Sequence, residues 1–196
     1  MARRNDNTRK ELKEMAIEAG IALLEAGGSE ELSARKIAVR IGYTVGTLYN
    51  LFTNFEDIIL HINSATLRDM HDKLATIADS SQEPHQRILD FAYCYGDYAL
   101  AYPSRWNLLH GFVRTTKLPE WFRTQVDALF ALVEVPLNEL CPHQPSQARD
   151  AAKILWAGLH GICALSIRQK LEHVDAGPMR KLTDNFVTHY LKGLMS

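Results

Sequence analysis

The sequence predicts an all-α protein: a small N-terminal helical unit followed by a larger helical unit. Three observations predict it. No stretch alternates apolar and polar residues between turn signals, as a half-buried strand would. Apolar residues recur instead at steps of three and four, as Leu12, Ala16, Ala19, Leu23 and Ala26 do. Cap-forming and helix-breaking residues punctuate these stripes along the whole chain.

The first helix starts at Thr8, where Thr8 and Glu11 have capping-box spacing, and ends at Gly27-Gly28, where a left-handed cap is expected. Ser33 caps a second, short helix, with Leu32 placed to staple onto Ile37, and Gly42 closes it. Thr44 caps a third, with Tyr43 placed to staple onto Leu48. Two short helices joined by a tight turn at Gly42-Tyr43 have the signature of a helix-turn-helix. Asn54 caps a long fourth helix striped with Ile58, Ile62, Met70 and Ile77. The stretch Ser80 to Pro84 is a loop. Further helices follow over His85–Tyr102, Ser104–Thr115 and Glu120–Leu140, the last kinked or split by Pro136. Two more cover Ser146–Leu171 and Pro178–Leu194, with Pro178 in the favoured first-turn position. The domain reading is therefore 1–53 for a three-helix N-terminal unit and 54–196 for the rest.

At 196 residues, with 46% hydrophobic and 23% charged residues, the composition excludes a disordered or collagen-like chain. A chain this long buries roughly 70% of its unfolded surface and needs no disulfide or metal to fold. Cys94, Cys141 and Cys163 are odd in number and form no CxxC pair, which reads as reduced thiols in a cytosol. The N-terminal segment is polar and lacks the apolar core of a signal peptide. Ile154 to Ile167, an apolar run free of Asp, Glu, Lys and Arg, is too short to span a bilayer. The expectation is a cytoplasmic protein with no membrane partner.

The net charge is −1, so nucleic acid can be attracted only by a local patch. Position supplies one. Between Leu32 and Phe55 lie Arg35, Lys36 and Arg40 and no acidic residue. A second basic cluster, Arg3, Arg4, Arg9 and Lys10, precedes or opens the first helix. At about 100° per residue, Leu48 and Phe52 of the third helix fall together toward a core. Gly46, Tyr49 and Asn50 fall roughly opposite, with Thr47 at one margin and Val45 nearer the core. That small, polar face suits a major groove about 12 Å wide. Arg35, in the first turn of the second helix, is placed to reach a guanine edge. Tyr49, Lys36 and the first-turn N–H groups after Thr44 are placed to grip phosphates.

The run LSARKIAVRIGYTVGTLYNLFTNFEDII resembles the DNA-binding region of TetR-family transcriptional repressors, in register over residues 8–60. The resemblance implies that Arg35 reads a base, that Val45, Gly46 and Tyr49 meet the groove, and that Thr47 and Tyr49 hold phosphate. Two departures stand out. Phe55 occupies the place of a phosphate-contacting Lys, and Val45 that of a polar or basic residue. Both weaken the electrostatic grip and shift weight onto the arm with Arg3 and Arg4, while Val45 gains access to a thymine methyl.

In the larger unit, ILWAGLHGI and YALAYPSRWNLL resemble a C-terminal TetR subtype marked by Trp, His and Gly. That resemblance implies ligand binding and dimerisation but names no ligand. Polar residues on otherwise apolar helices suggest a pocket for a small-molecule effector. Tyr93, Asp97, Trp106 and His110 are the upstream candidates, and Trp121, Trp156 and His160 the downstream ones. The Ser146–Leu171 helix is apolar nearly all round. Its small residues Ala157, Gly158, Gly161 and Ala164 would admit a partner helix, so a homodimer through 146–171 and 178–194 is expected. No P-loop, GxGxxG, HExxH or GxSxG motif occurs, so no catalytic residue, metal or cofactor is expected. The expectation is a ligand-responsive repressor acting as a dimer on palindromic double-stranded DNA. The alternative is a helical small-molecule-binding or protein-interaction module without sequence-specific DNA binding.

Overall fold

The computed structural model describes residues 8–80, 82–113, 117–141 and 145–195. Among them are nine α-helices and no strand. They are α1 (Arg9–Gly27), α2 (Ala34–Ile41), α3 (Val45–Leu51), α4 (Phe55–Ala78) and α5 (Pro84–Ala101), then α6 (Pro103–Gly111), α7 (Glu120–Leu140), α8 (Pro145–Ile167) and α9 (Met179–Leu194).

The predicted caps form. Thr8 accepts from the Glu11 N–H while Glu11 accepts from the Thr8 N–H, a reciprocal capping box. The Thr8 N–H first, and the Thr8 side chain second, hydrogen-bond to the Glu11 carboxyl and hold it below the usual carboxylate range. Ser33 accepts from Lys36 N–H and Thr44 from Thr47 N–H. Gly42 closes α2 in the left-handed conformation, φ 78° and ψ 25°, which favours glycine. Gly28 ends α1 with φ 73° but ψ −169°, outside the left-handed helical region expected there. Asn54 accepts from the Asp57 N–H at 2.9 Å, and Asp57 accepts in turn from the Thr53 N–H.

Some boundaries differ from those read in sequence. α6 ends at Gly111 and α8 at Ile167, each four residues early. After α8 the backbone turns at Gln169, with φ 55°, and passes through a 3-10 turn over Leu171–Val174. A further 3-10 turn, Ser29–Glu31, follows α1. Pro136 does not split α7. It lies buried inside a continuous helix.

The chain divides into two compact units, Met1–Thr66 with Ser104–Lys117, and Leu67–Pro103 with Leu118–Ser196. The division falls inside α4, between Thr66 and Leu67. The reason is the first core: Ile58, Ile59 and Ile62 of α4 are buried with Leu24, Ile37, Leu48 and Phe52, and Leu108 of α6 joins them. Gly20 permits the approach of α4 to α1, since a Cβ there would lie 2.5 Å from Ile62 Cδ1. In the second unit α5 packs on α7, α8 and α9, and α8 packs on α7 and α9. The half-exposed Glu139 of α7 pairs with the buried Arg87 of α5. No helix among the described residues is long and apolar enough to cross a membrane.

Candidate nucleic-acid interface and ligand cleft

The α2–α3 pair presents the predicted face. Leu48 and Phe52 are 0% and 2% exposed, whereas Gly46, Tyr49 and Asn50 are exposed. Tyr49, at 48% exposure, is not buried against α4. Val45 is half-buried and packs on the first core. Thr47 is half-buried, and its hydroxyl lies 3.1 Å from that of Thr44, so both hydroxyls are engaged at the cap. Arg35 is exposed, with no ion pair among the described residues. Lys36 is not free: its ammonium lies 2.6 Å from the Glu31 carboxylate. The acid-free stretch read from Leu32 to Phe55 is therefore entered by an acid just outside it. Arg3 and Arg4 lie outside the described residues.

Two basic residues read from the sequence take more definite places in the fold. Arg40 follows Lys36 by four residues and shares its exposed face of α2, beside Val39 at 73% exposure. Arg9 was counted as one of a basic cluster. Its guanidinium instead donates to the Asn50 carbonyl at 3.0 Å, closing the C-terminal end of α3. Lys13, one turn further along α1, stands 5.1 Å from the centre of the Phe52 ring. The interface helix is thus tied to α1 through both its last turn and its anchor.

The predicted ligand-lining residues are divided between the two compact units. Trp106 and His110 are in tilted ring contact, centres 4.8 Å apart, and belong to the first compact unit. The other five belong to the second. Trp121 meets Phe122 edge to face and is 39% exposed. Trp156 lies between Phe130 and His160, and His160 Nδ1 is 3.1 Å from the Tyr95 hydroxyl. Burial first, and the Arg168 charge second, lower the His160 pKa below the usual histidine value, which favours the neutral ring. Tyr93 and Asp97 line an open cleft of about 520 Å³ with Tyr98, Tyr102, Cys94 and Arg180. Arg180 comes from α9 and was not foreseen. Burial raises the Cys94 pKa, with Lys73 opposing and Asp97 and Asp69 reinforcing the shift. Among the described residues no group of three His, Cys, Asp or Glu could hold a metal.

A helix-turn-helix with a polar outward face, carried by an all-helical chain, defines the class of helix-turn-helix regulators. Family comparison agrees. Residues 16–62 match bacterial regulatory proteins of the tetR family, and residues 88–190, over half of the chain, match a Tetracyclin repressor-like C-terminal domain. The chain belongs to the TetR family. The Trp-His-Gly subtype is not confirmed by these matches. No curated protein matches the sequence. Solved structures share the fold at low identity. One is a protein of unknown function from Rhodococcus sp. RHA1, with TM-score 0.79, 17% identity and 100% of both chains covered. Another is a TetR variant from Acinetobacter baumannii AYE in complex with minocycline, with TM-score 0.67 and 19% identity, covering 94% of this chain and 98% of that one. A third is the TetR-family regulator PfmR from Thermus thermophilus, with TM-score 0.62 and 14% identity, covering 90% of this chain and 97% of that one.

Proposed function

We propose that the protein is a cytoplasmic transcriptional repressor that binds a palindromic operator as a homodimer and is released by a small apolar or aromatic effector. Residues 1–53 are read as the DNA-binding part and 54–196 as the effector-binding and dimerisation part. The observation that carries the reading is the α2–α3 face. Arg35, Gly46, Tyr49 and Asn50 are turned outward together while Leu48 and Phe52 anchor the helix from behind. A helix so anchored can enter a major groove without disturbing its own core. Lys36 would exchange Glu31 for a phosphate, so its net gain on binding is smaller than that of a free lysine. The relative that holds minocycline supports a small-molecule effector. The effector must prefer the conformation that does not bind DNA, because equal affinity for both shifts nothing. α4, cut by the division between the compact units, is the natural element to carry that shift.

The test is fluorescence anisotropy on the DNA upstream of the protein's own gene and on random DNA, at two salt concentrations. Salt-dependent binding with a preference for the upstream DNA is expected. Arg35→Ala is expected to cost about 1–3 kcal/mol and relax preference at one base pair, whereas Lys36→Ala weakens all duplexes alike. Indifference to every duplex in dilute buffer would overturn the reading and favour an interaction module.

A further inference from the structure

The cleft walled by α4, α5 and α9 already holds a cation that belongs to the chain. The Arg180 guanidinium carbon lies 3.9 Å from the centre of the Tyr93 ring, a cation–π contact, and Nη1 is 4.0 Å from the Asp97 carboxylate. The Tyr93 hydroxyl donates to Asp184, which fixes that ring in place. Tyr98 donates to Asp69 at 3.1 Å, and its ring is 4.9 Å from that of Tyr102. Asp69, Asp90, Asp97 and Asp184 outnumber the two cations, Lys73 and Arg180, in and around the cleft. A volume of about 520 Å³ is in the size range of small-ligand sites.

The Arg180 side chain is 64% exposed and its partner Asp97 68%, so this pairing contributes little net stability. Water can take Arg180 back at small cost. What remains is a tyrosine face beside a carboxylate, with more tyrosine surface adjoining. An anion is repelled there, and a neutral arene forfeits the carboxylates. A bare metal ion cannot use the ring faces to advantage. We propose that the cleft binds a small aromatic organic cation, which replaces the Arg180 guanidinium over Tyr93 and beside Asp97. Arg180 is in the first turn of α9, so its release acts on a helix of the proposed dimer. This ligand class rests on the effector-responsive reading given above.

The full-length protein is titrated calorimetrically with benzamidinium and with its neutral near-isostere benzamide. Benzamidinium is expected to bind about tenfold more tightly. Arg180→Ala removes the internal competitor and is expected to tighten binding about two- to fivefold, while Asp97→Asn weakens it by a similar factor. Equal affinity for benzamide, weaker binding by Arg180→Ala, or no binding by either protein at millimolar concentration would overturn the site. DNA affinity is read separately. Benzamidinium binding that leaves DNA affinity unchanged keeps the site and removes its effector role. DNA release by other compounds, with no benzamidinium binding, keeps an effector and removes this site.

Discussion

Arg9 shows how a residue's chemistry is settled by a partner far away in sequence. As a charge near the N-terminus it reads as a phosphate ligand. In the fold it donates to a carbonyl 41 residues on, at the negative end of α3. A cation there stabilises a helix end by about 0.3–1 kcal/mol. Arg9→Ala is therefore expected to raise amide hydrogen exchange in the last turn of α3, without DNA, about two- to fivefold. Lost DNA affinity with unchanged exchange would make Arg9 a phosphate contact instead. Tyr49 and Asn50 were legible because helical phase alone puts them opposite Leu48 and Phe52, and Arg35 because the Ser33 cap places it in the first turn of α2. Arg9 and the Lys36–Glu31 pair were not, because each joins atoms across a helix boundary. His160 carries a pH dependence. Its folded pKa is depressed, so the unfolded chain binds more protons between the two values. Stability is complete above the ordinary histidine pKa and falls as pH drops through it toward the folded value. Thermal melts from pH 8 to 5 should show that fall in the wild type and a shallower one in His160→Gln.

Helix starts were legible, and the ends of α6 and α8 were not, for a physical reason. A Ser, Thr or Asn cap satisfies orphan N–H groups locally, so Thr8, Ser33, Thr44 and Asn54 could be named from sequence. The ends of α6 and α8 depend on where packing stops offsetting the cost of ordering the chain, and residue spacing does not record that. The apolar girth of α8 was legible, but its division between neighbours was not. Gly158 was read as room for another subunit. A Cβ there would lie 2.1 Å from Phe186 Cζ, so this chain's own α9 fills the space. Gly158→Ala gains up to about 1 kcal/mol of helix propensity but forces an aromatic ring to move, at about 1–3 kcal/mol. Net destabilisation in urea unfolding is expected, with Phe186→Leu restoring part of it in the double variant. Additive effects of the two changes would disprove the contact.

At the scale of the whole molecule, α8 has two apolar stripes and one chain covers only one of them. Ala148, Ala151, Ala152, Leu155, Leu159 and Cys163 are buried, and burial pushes the Cys163 thiol up to about 12. On another face Ile154, Ala157, Gly161 and Leu165 recur at steps of three and four, with Ile154 52% and Leu165 46% exposed. A Cβ at Gly161 would meet nothing within 4 Å, so another backbone could approach closely there. A second copy of α8 laid on this stripe would cover it with the same residues, as a two-fold axis requires. Two half-sites held by one dimer gain about 10²–10⁴ in affinity over one half-site held alone. Ile154→Glu places a charge in that seam while leaving the buried stripe untouched. Light scattering is expected to show a dimer for the wild type and a monomer for Ile154→Glu, with operator affinity falling at least about a hundredfold. A monomeric wild type would remove the dimer. A variant that stays dimeric with full operator affinity would move the interface to some other face of the second unit.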